Sequence, residues 1–347
     1  MEYLPPLVFV LFVFVLLLLI IVPICNEKFV ELGGRVSPSA LALRAKSPVN
    51  PNLASFPTHG LVDFRDFDLS DEHSEEAQMF HDQYELTEDQ RRRDILAAYE
   101  ELDKPMTVVA MFYCKNFVGL FENWAASCKD VANVRTRTIG FCLDQESYNH
   151  TRELGFQAIH IPKMSGDYRG FGAAFGKSFG QTMFYKNAII YDLLRWLPCN
   201  VLFQDTDLVW FKDPIPYLET LPETISIMYD GPNPHFRNIY ANTGFIYLKN
   251  NESSKALMET ALGNTAYVFS YGGHQKPFDR ILDSFERHGL LTFRILPEDL
   301  FANGHLPKVP KNAYVYHYSW TVDIKDKLRK LRELGLVFNP SLLEPSS

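Results

Sequence analysis

From Met106 onward the chain alternates between two hydrophobic rhythms. Short apolar runs rich in β-branched and aromatic residues, "MTVVAMFYC" (Met106–Cys114), "TRTIGFCL" (Thr136–Leu143) and "QAIHIP" (Gln157–Pro162), read as buried strands. Between them, "FVGLFENWAASCKDV" and the stretch Gln145–Leu154 carry helical spacing. A helix is predicted over Gln181–Leu197, then a strand "NVLFQ" (Asn200–Gln204), and two short strands with polar tips, "TISIMYD" (Thr224–Asp230) and "NTGFIYLKN" (Asn242–Asn250). A helix around Ser253–Leu262, the strand-like "LLTFRILP" and "AYVYHYSW", and a last helix in "DIKDKLRKLRELG", leucines on one face and charge on the other, complete the body. This order predicts an α/β fold, a mainly parallel mixed sheet flanked by helices.

The text before Met106 differs in kind. Leu4 to Cys25 is an apolar run of 22 residues without a charge, long enough to cross a bilayer. A membrane anchor is favoured over a cleaved signal peptide, because no Lys or Arg precedes the run and no A-x-A site follows it. Residues 26–104 change from Pro-, Ser- and Ala-rich to strongly acidic ("DFRDFDLSDEHSEEAQ") and read as a stem. A helix near 87–103 closes it, with a Thr87/Gln90 capping box and Pro105 as its stop. Residues 105–338 are then the main domain and 339–347 a tail. Lys28, Arg35 and Arg44 after the span favour a cytosolic body by the positive-inside rule, whereas the sequons Asn149-His150-Thr151 and Asn251-Glu252-Ser253 fit a lumenal one. The lumenal, single-pass type II arrangement is the expectation. The formal charge of -8 argues against general nucleic-acid binding. Five cysteines match no zinc or CxxC spacing and leave the compartment open.

Within "NVLFQDTDLVWF", Asp205 and Asp207 stand at the end of a buried strand, where an unpaired charge is costly. Strand alternation puts both side chains on one face, so they can converge on one point. A hard divalent cation, Mg²⁺ or Mn²⁺, is the natural compensator, with positions left for substrate phosphates. The carboxyl ends of strands are also where open α/β sheets bind ligands. The glycine-rich "SGDYRGFGAAFGKSFG" lacks the spacing of a P-loop or a dinucleotide fingerprint.

With "MFYKNAIIYDLL" upstream and "NTGFIYLK" downstream, "NVLFQDTDLVWFKDP" resembles the GT-A (Rossmann-like) glycosyltransferases, specifically the nucleotide-diphospho-sugar transferase family that includes plant cell-wall xylosyl- and arabinosyltransferases. The resemblance runs from Met106 to Val337. It implies that Asp205 and Asp207 are the DxD pair binding Mn²⁺ or Mg²⁺, that His317 completes the metal site, and that Lys327, with Lys325 as rival, contacts phosphate. A glycine common between that histidine and lysine is missing, Asp323 standing in its place. Lys186 matches a lysine on the helix before the DxD strand, a partner for phosphate or for an aspartate. Asn242, Thr243 and Gly244 resemble the loop facing the sugar. "HQKPFD" resembles a DQxxF segment near the reaction centre, giving Gln275 and Asp279 as candidates although His274 replaces the acidic residue. Asp144 is a candidate for binding the nucleoside and Tyr113 for stacking on the base.

The resemblance thus implies transfer of a sugar, with retention, from a nucleotide-diphosphate sugar, expected to be a UDP-sugar, to a glycan or glycoprotein in the Golgi. Two other readings stay open. "DTDLV" also fits an aspartyl-nucleophile phosphatase, with Asp205 attacking phosphorus. The replacements at His274 and Asp323 also fit a membrane-tethered glycan-binding protein without turnover.

Overall fold

The structure, a computed structural model, describes residues 61–65, 67–161, 177–232, 241–321 and 324–343. The apolar N-terminal run and most of the glycine-rich stretch lie outside the described residues, as does Asp323. Among the described residues no helix is long and apolar enough to cross a membrane.

The strand predictions hold in order, most of them shortened to the residues that ladder. They are β1 (Thr107–Tyr113), β2 (Thr138–Cys142), β3 (Gln157–His160), β4 (Asn200–Gln204), β6 (Ile225–Tyr229), β7 (Ala241–Leu248), β8 (Phe293–Ile295) and β10 (Val315–His317). Two three-residue strands were not foreseen, β5 (Leu208–Trp210) and β9 (Phe301–Asn303). Seven strands form one sheet in the order β3-β2-β1-β4-β7-β6-β8, and β5-β10-β9 form a second. In the large sheet β1 runs parallel to β2 and β4, while β7 is antiparallel to both β4 and β6. β1 and β7 are buried along their whole length, as expected of strands covered on both faces.

The helices are α1 (Asp71–Leu86), α2 (Glu88–Glu100), α3 (Val118–Ser127), α4 (Gln145–Glu153), α5 (Lys177–Trp196), α6 (Ile215–Thr220), α7 (Glu252–Gly263), α8 (Thr265–Tyr271), α9 (Gln275–Arg287) and α10 (Ile324–Glu333). One large core packs α1, α2, α5 and α7 to α9 against the sheet, and a second lies around α3 and the small sheet.

The stem expected over 26–104 needs correction where it is described. Its acidic part is α1, and Ala77, Phe80 and Tyr84 on one face are buried in the main core. Phe80 meets Phe184 and Phe269 edge to face at 5.4 and 5.2 Å. Apart from the buried Glu76, the acidic residues occupy the remaining face, so high charge conceals an apolar stripe at helical spacing. The capping box also moves. Thr87 makes no side-chain cap and donates its hydroxyl to the Gln83 and Tyr84 carbonyls, whereas Ser70 and His73 form a reciprocal box at the start of α1.

One irregularity matters for the site. Ile227 pairs with Ile246, but its neighbour Met228 pairs with Asn242, so Thr243, Gly244 and Phe245 form a bulge relative to β6. Bulges re-aim side chains and bend the strand. This one turns "NTG" toward the end of β4.

Candidate active site

Asp205 follows β4 directly, and its backbone N–H donates to the Gly244 carbonyl at 2.9 Å, joining the aspartate turn to the β7 bulge. The chain then re-enters a strand at β5, which pairs antiparallel with β10 so that Leu208 faces His317. The Tyr318 N–H donates to the Asp207 carbonyl at 2.8 Å. This pairing carries His317 to the aspartates across more than a hundred residues. His317 Nε2 lies 3.2 Å from Asp207 Oδ1 and 3.9 Å from Asp205 Oδ2.

Gly244 makes the approach possible. A Cβ there would sit 2.2 Å from His317 Cε1 and 2.7 Å from Asp205 Oδ2, separations no side chain tolerates. Close backbone approach, the property a missing Cβ confers, is what the glycine contributes. Among the described residues His317 Nδ1 is buried without a partner, and strand register and packing aim the ring.

Two lysines flank the pair. Lys186 of α5, 1% exposed, donates to Asp205 Oδ1 at 2.9 Å with its ammonium above the Phe203 ring. Lys327 of α10 donates to Asp207 Oδ2 and to the Tyr318 carbonyl, while Lys325 is exposed. Burial works against the Asp207 charge, but the Lys327 ammonium and the His317 ring more than offset it and hold the carboxyl far below its usual range. Asp207 is therefore a carboxylate at all ordinary pH.

One ligand atom from each of Asp205, Asp207 and His317 lies within 4.8 Å of the others. Two carboxylates and an imidazole are a donor set for a hard or borderline divalent cation such as Mg²⁺ or Mn²⁺. The Asp205 side chain is 36% exposed, against 8% for Asp207, which leaves the cluster open on one side. The residues fit a metal that keeps positions for a further ligand.

A polar layer adjoins this cluster. Asn242 is held between the two, its amide donating to Asp230 Oδ1 at 2.6 Å and its carbonyl accepting from the Gly244 N–H at 2.8 Å. Gln275 donates to Asp230 Oδ2 at 2.8 Å. Asp230 was not singled out from sequence; the signal available was the polar tip that ends β6 at the strand's carboxyl end. Thr243 is buried beside Asn242. Asp279, one turn beyond Gln275 on α9, is buried with neither oxygen partnered among the described residues, and burial, with the Asp230 charge, pushes its carboxyl well up. His274 is buried with Nε2 unpartnered among the described residues, and burial, with the Lys186 charge, pushes its pKa well down.

Two candidates take other roles. Tyr113 is fully buried, stacked on Phe121 at 4.7 Å with its hydroxyl on Thr151, so no ring face is open to a base. Asp144 caps α4, with Oδ1 accepting from the Ser147 N–H and Oδ2 from the Lys115 N–H, both at 2.8 Å. Strand ends in an α/β sheet serve helix capping as readily as ligand binding, and the first use prevails here.

A family model described as nucleotide-diphospho-sugar transferase matches residues 133–331. The chain is 24% identical over 259 residues to the beta-arabinofuranosyltransferase RAY1 of Arabidopsis thaliana, spanning 66% of this chain and 46% of that protein. It is 30% identical over 121 residues to an uncharacterized protein, At1g28695, of the same species, spanning 34% of this chain and 35% of the other. The chain thus matches less than half the length of either relative. Among solved structures, a galactosyltransferase, LgtC, in complex with donor and acceptor sugar analogs aligns at TM-score 0.40 and 12% identity, over 67% of this chain and 97% of that one. The apo-form glycosyltransferase GlyE of Streptococcus pneumoniae TIGR4 aligns at 0.43 and 14%, over 69% and 62%. These structural likenesses are too loose to assign residues.

Proposed function

The chain belongs to the nucleotide-diphospho-sugar transferase family, and from that premise we propose that it is a metal-dependent GT-A glycosyltransferase moving a sugar from a UDP-sugar to a glycan or glycoprotein. The observation that carries this reading is the convergence of Asp205, Asp207 and His317 at the carboxyl end of β4, with Lys186 and Lys327 beside them. A cation bound by these three ligands would neutralise charge developing on the leaving diphosphate.

The chain's own residues divide the remaining work. Lys327 keeps Asp207 ionised and places an ammonium where a phosphate would lie. Lys186 donates to Asp205 from inside the fold and fixes that carboxylate in place. Asn242, Gln275 and Asp230 form the polar wall next to the metal ligands, where a sugar attached to the diphosphate meets fixed donors and acceptors. In the retaining course, the bond from the anomeric carbon to the phosphate oxygen breaks and a bond to the acceptor hydroxyl forms on the same face. The hydroxyl proton passes to the departing phosphate, so no protein base is required. Asp279, favoured in its neutral form by burial, fits that course better than one in which its carboxylate serves as the base.

With the apolar segment Leu4 to Cys25 as anchor and the sequons at Asn149 and Asn251 in the body, a type II arrangement with a lumenal body is proposed, and Golgi residence with it. The test is a panel of nucleotide sugars assayed for nucleotide release and transfer with Mn²⁺ and with chelator. UDP-arabinofuranose belongs in the panel because of the relative's name. Release from one donor, lost on chelation, is expected; no release from any would sink the proposal. A phosphoenzyme at Asp205 would favour the phosphatase reading instead.

A further inference from the structure

Of the chain's four tryptophans, Trp124 and Trp210 are sealed in the core and Trp196 is half-buried, while Trp320 is 46% exposed. Leaving a large aromatic surface in water forfeits the burial that normally holds such a residue in a fold. Trp320 also has φ of 61°, in the left-handed region, where a bulky residue is an outlier. Backbone strain of this kind persists where surrounding structure enforces it, and it gathers at binding sites.

Trp320 is enforced from several sides. Its indole Nε1 donates to the Asp230 carbonyl at 2.6 Å. Its own carbonyl accepts from Lys330 Nζ at 2.6 Å. The preceding residue is set by Gly304, whose added Cβ would lie 1.9 Å from the Ser319 carbonyl oxygen, so only glycine permits that approach. The His305 ring lies 6.3 Å away, itself edge-on to Tyr229. An indole fixed at its polar edge and wet elsewhere is a platform prepared for something flat and apolar on one face.

Its place in the fold says what that is. Asp230 is the residue whose carboxylate holds Asn242 and Gln275, and whose carbonyl holds Trp320. From the metal ligands outward the order is Asp205, Asp207 and His317, then the buried wall of Asn242, Asp230 and Gln275, then Trp320 at the rim. Asp230 directly follows β6, on the opposite side of β4 from the parallel strands β1 to β3. A donor sugar joined to the diphosphate occupies the inner wall, so the ring that reaches the rim is the acceptor's.

We propose that Trp320 is the stacking platform for the acceptor sugar, its indole receiving the C–H face of a glycosyl ring. This rests on the glycosyltransferase reading of the adjoining metal cluster. Trp320 is a specificity-determining contact for the acceptor and takes no part in bond breaking.

The test uses the full chain labelled with 5-fluorotryptophan, with saturating UDP and Mg²⁺, and the wild type beside Trp320→Phe and Trp320→Ala. The ¹⁹F signal missing in Trp320→Phe identifies the residue. Methyl β-D-galactopyranoside, methyl β-D-xylopyranoside and methyl α-L-arabinofuranoside are the probes, with Kd measured by saturation transfer to the glycoside. At least one probe is expected to shift the Trp320 signal and leave those of Trp124 and Trp210 in place. Its Kd should rise about tenfold or more in Trp320→Ala and stay within about threefold in Trp320→Phe. Thermal melting of both variants separates lost binding from lost fold, and Trp320→Phe keeps the test valid if Trp320→Ala does not fold. The proposal is overturned if no probe moves the Trp320 signal, if Trp320→Ala binds as tightly as wild type, or if UDP alone moves the signal and the glycosides do not. Binding of UDP itself by the wild type is read separately by calorimetry, and its absence sinks the transferase reading rather than the platform.

Discussion

Asp207 and Asp192 are both buried aspartates with a basic partner, and they are put to opposite uses. Asp192, 2% exposed between α2 and α5, accepts from the Tyr84 hydroxyl at 2.5 Å and from Arg91 Nε at 2.8 Å. Arg91 also lies over the Tyr84 ring at 3.7 Å, closing the arrangement. Even so, burial outweighs the guanidinium and pushes the Asp192 carboxyl up. At Asp207 a lysine and a histidine together overcome the same penalty and push it down. One cation and a phenol satisfy hydrogen bonds and tie α2 to the body. A lysine and an imidazole, beside a second and partly exposed carboxylate, hold charge ready at an open site.

The sharpest test of this contrast is a pair of substitutions. Asp207→Ala is expected to reduce metal-dependent nucleotide release by on the order of 10³-fold, with the fold retained, because it removes a proposed metal ligand. Asp192→Ala should do the reverse. It leaves Arg91 buried and unpaired, costing about 3–5 kcal/mol in urea unfolding, with activity per folded molecule kept. If Asp207→Ala unfolds the protein while release from the folded fraction persists, the distinction between the two aspartates is wrong.

Gly244→Ala ranks next. The new methyl must displace His317 or Asp205, so metal affinity is expected to fall about 10–100-fold by analogy with disturbed ligand supports. Calorimetric titration with Mn²⁺ reads it, and unchanged affinity would mean that the bulge does not set the ligand geometry. The smallest effect concerns Asp279. Its carboxyl is raised in the folded state, so as pH climbs above about 4 the unfolded chain releases a proton that the folded chain retains, and stability falls. Asp279→Asn removes that loss. Its melting temperature should exceed wild type at pH 7.5 by a few degrees, with the gap closing toward pH 4. A gap independent of pH would assign Asp279 a partner and an ionised form.

Legibility in the sequence followed interaction range. Strand β4 and its two aspartates were readable because apolar runs and the charges interrupting them are local. The chemistry at His317 is reachable only through a resemblance, and its meeting with Asp207 depends on the pairing of β10 with β5, a three-residue strand too short to show any periodicity. In α1 an acidic composition masks the helical spacing of Ala77, Phe80 and Tyr84 that buries it. Tyr113 and Asp144 stood at strand ends, as ligand-binding residues do, but their packing partners Phe121 and Ser147 decided their roles.

What the sequence alone determined is the order of strands and helices, the cost of two aspartates in an apolar run, and therefore the need for a compensating charge. Only the tertiary structure decided which groups compensate. Lys186, His317 and Lys327 come from a helix, a short strand and another helix spread along the chain, and Asp230 joins Asn242, Gln275 and Trp320 only once β6, β7, α9 and the turn after β10 are in place. The physical reason is that hydrophobic periodicity is written residue by residue, whereas electrostatic compensation is a matter of distance in space, and the register of the β7 bulge and of β10 on β5 sets those distances.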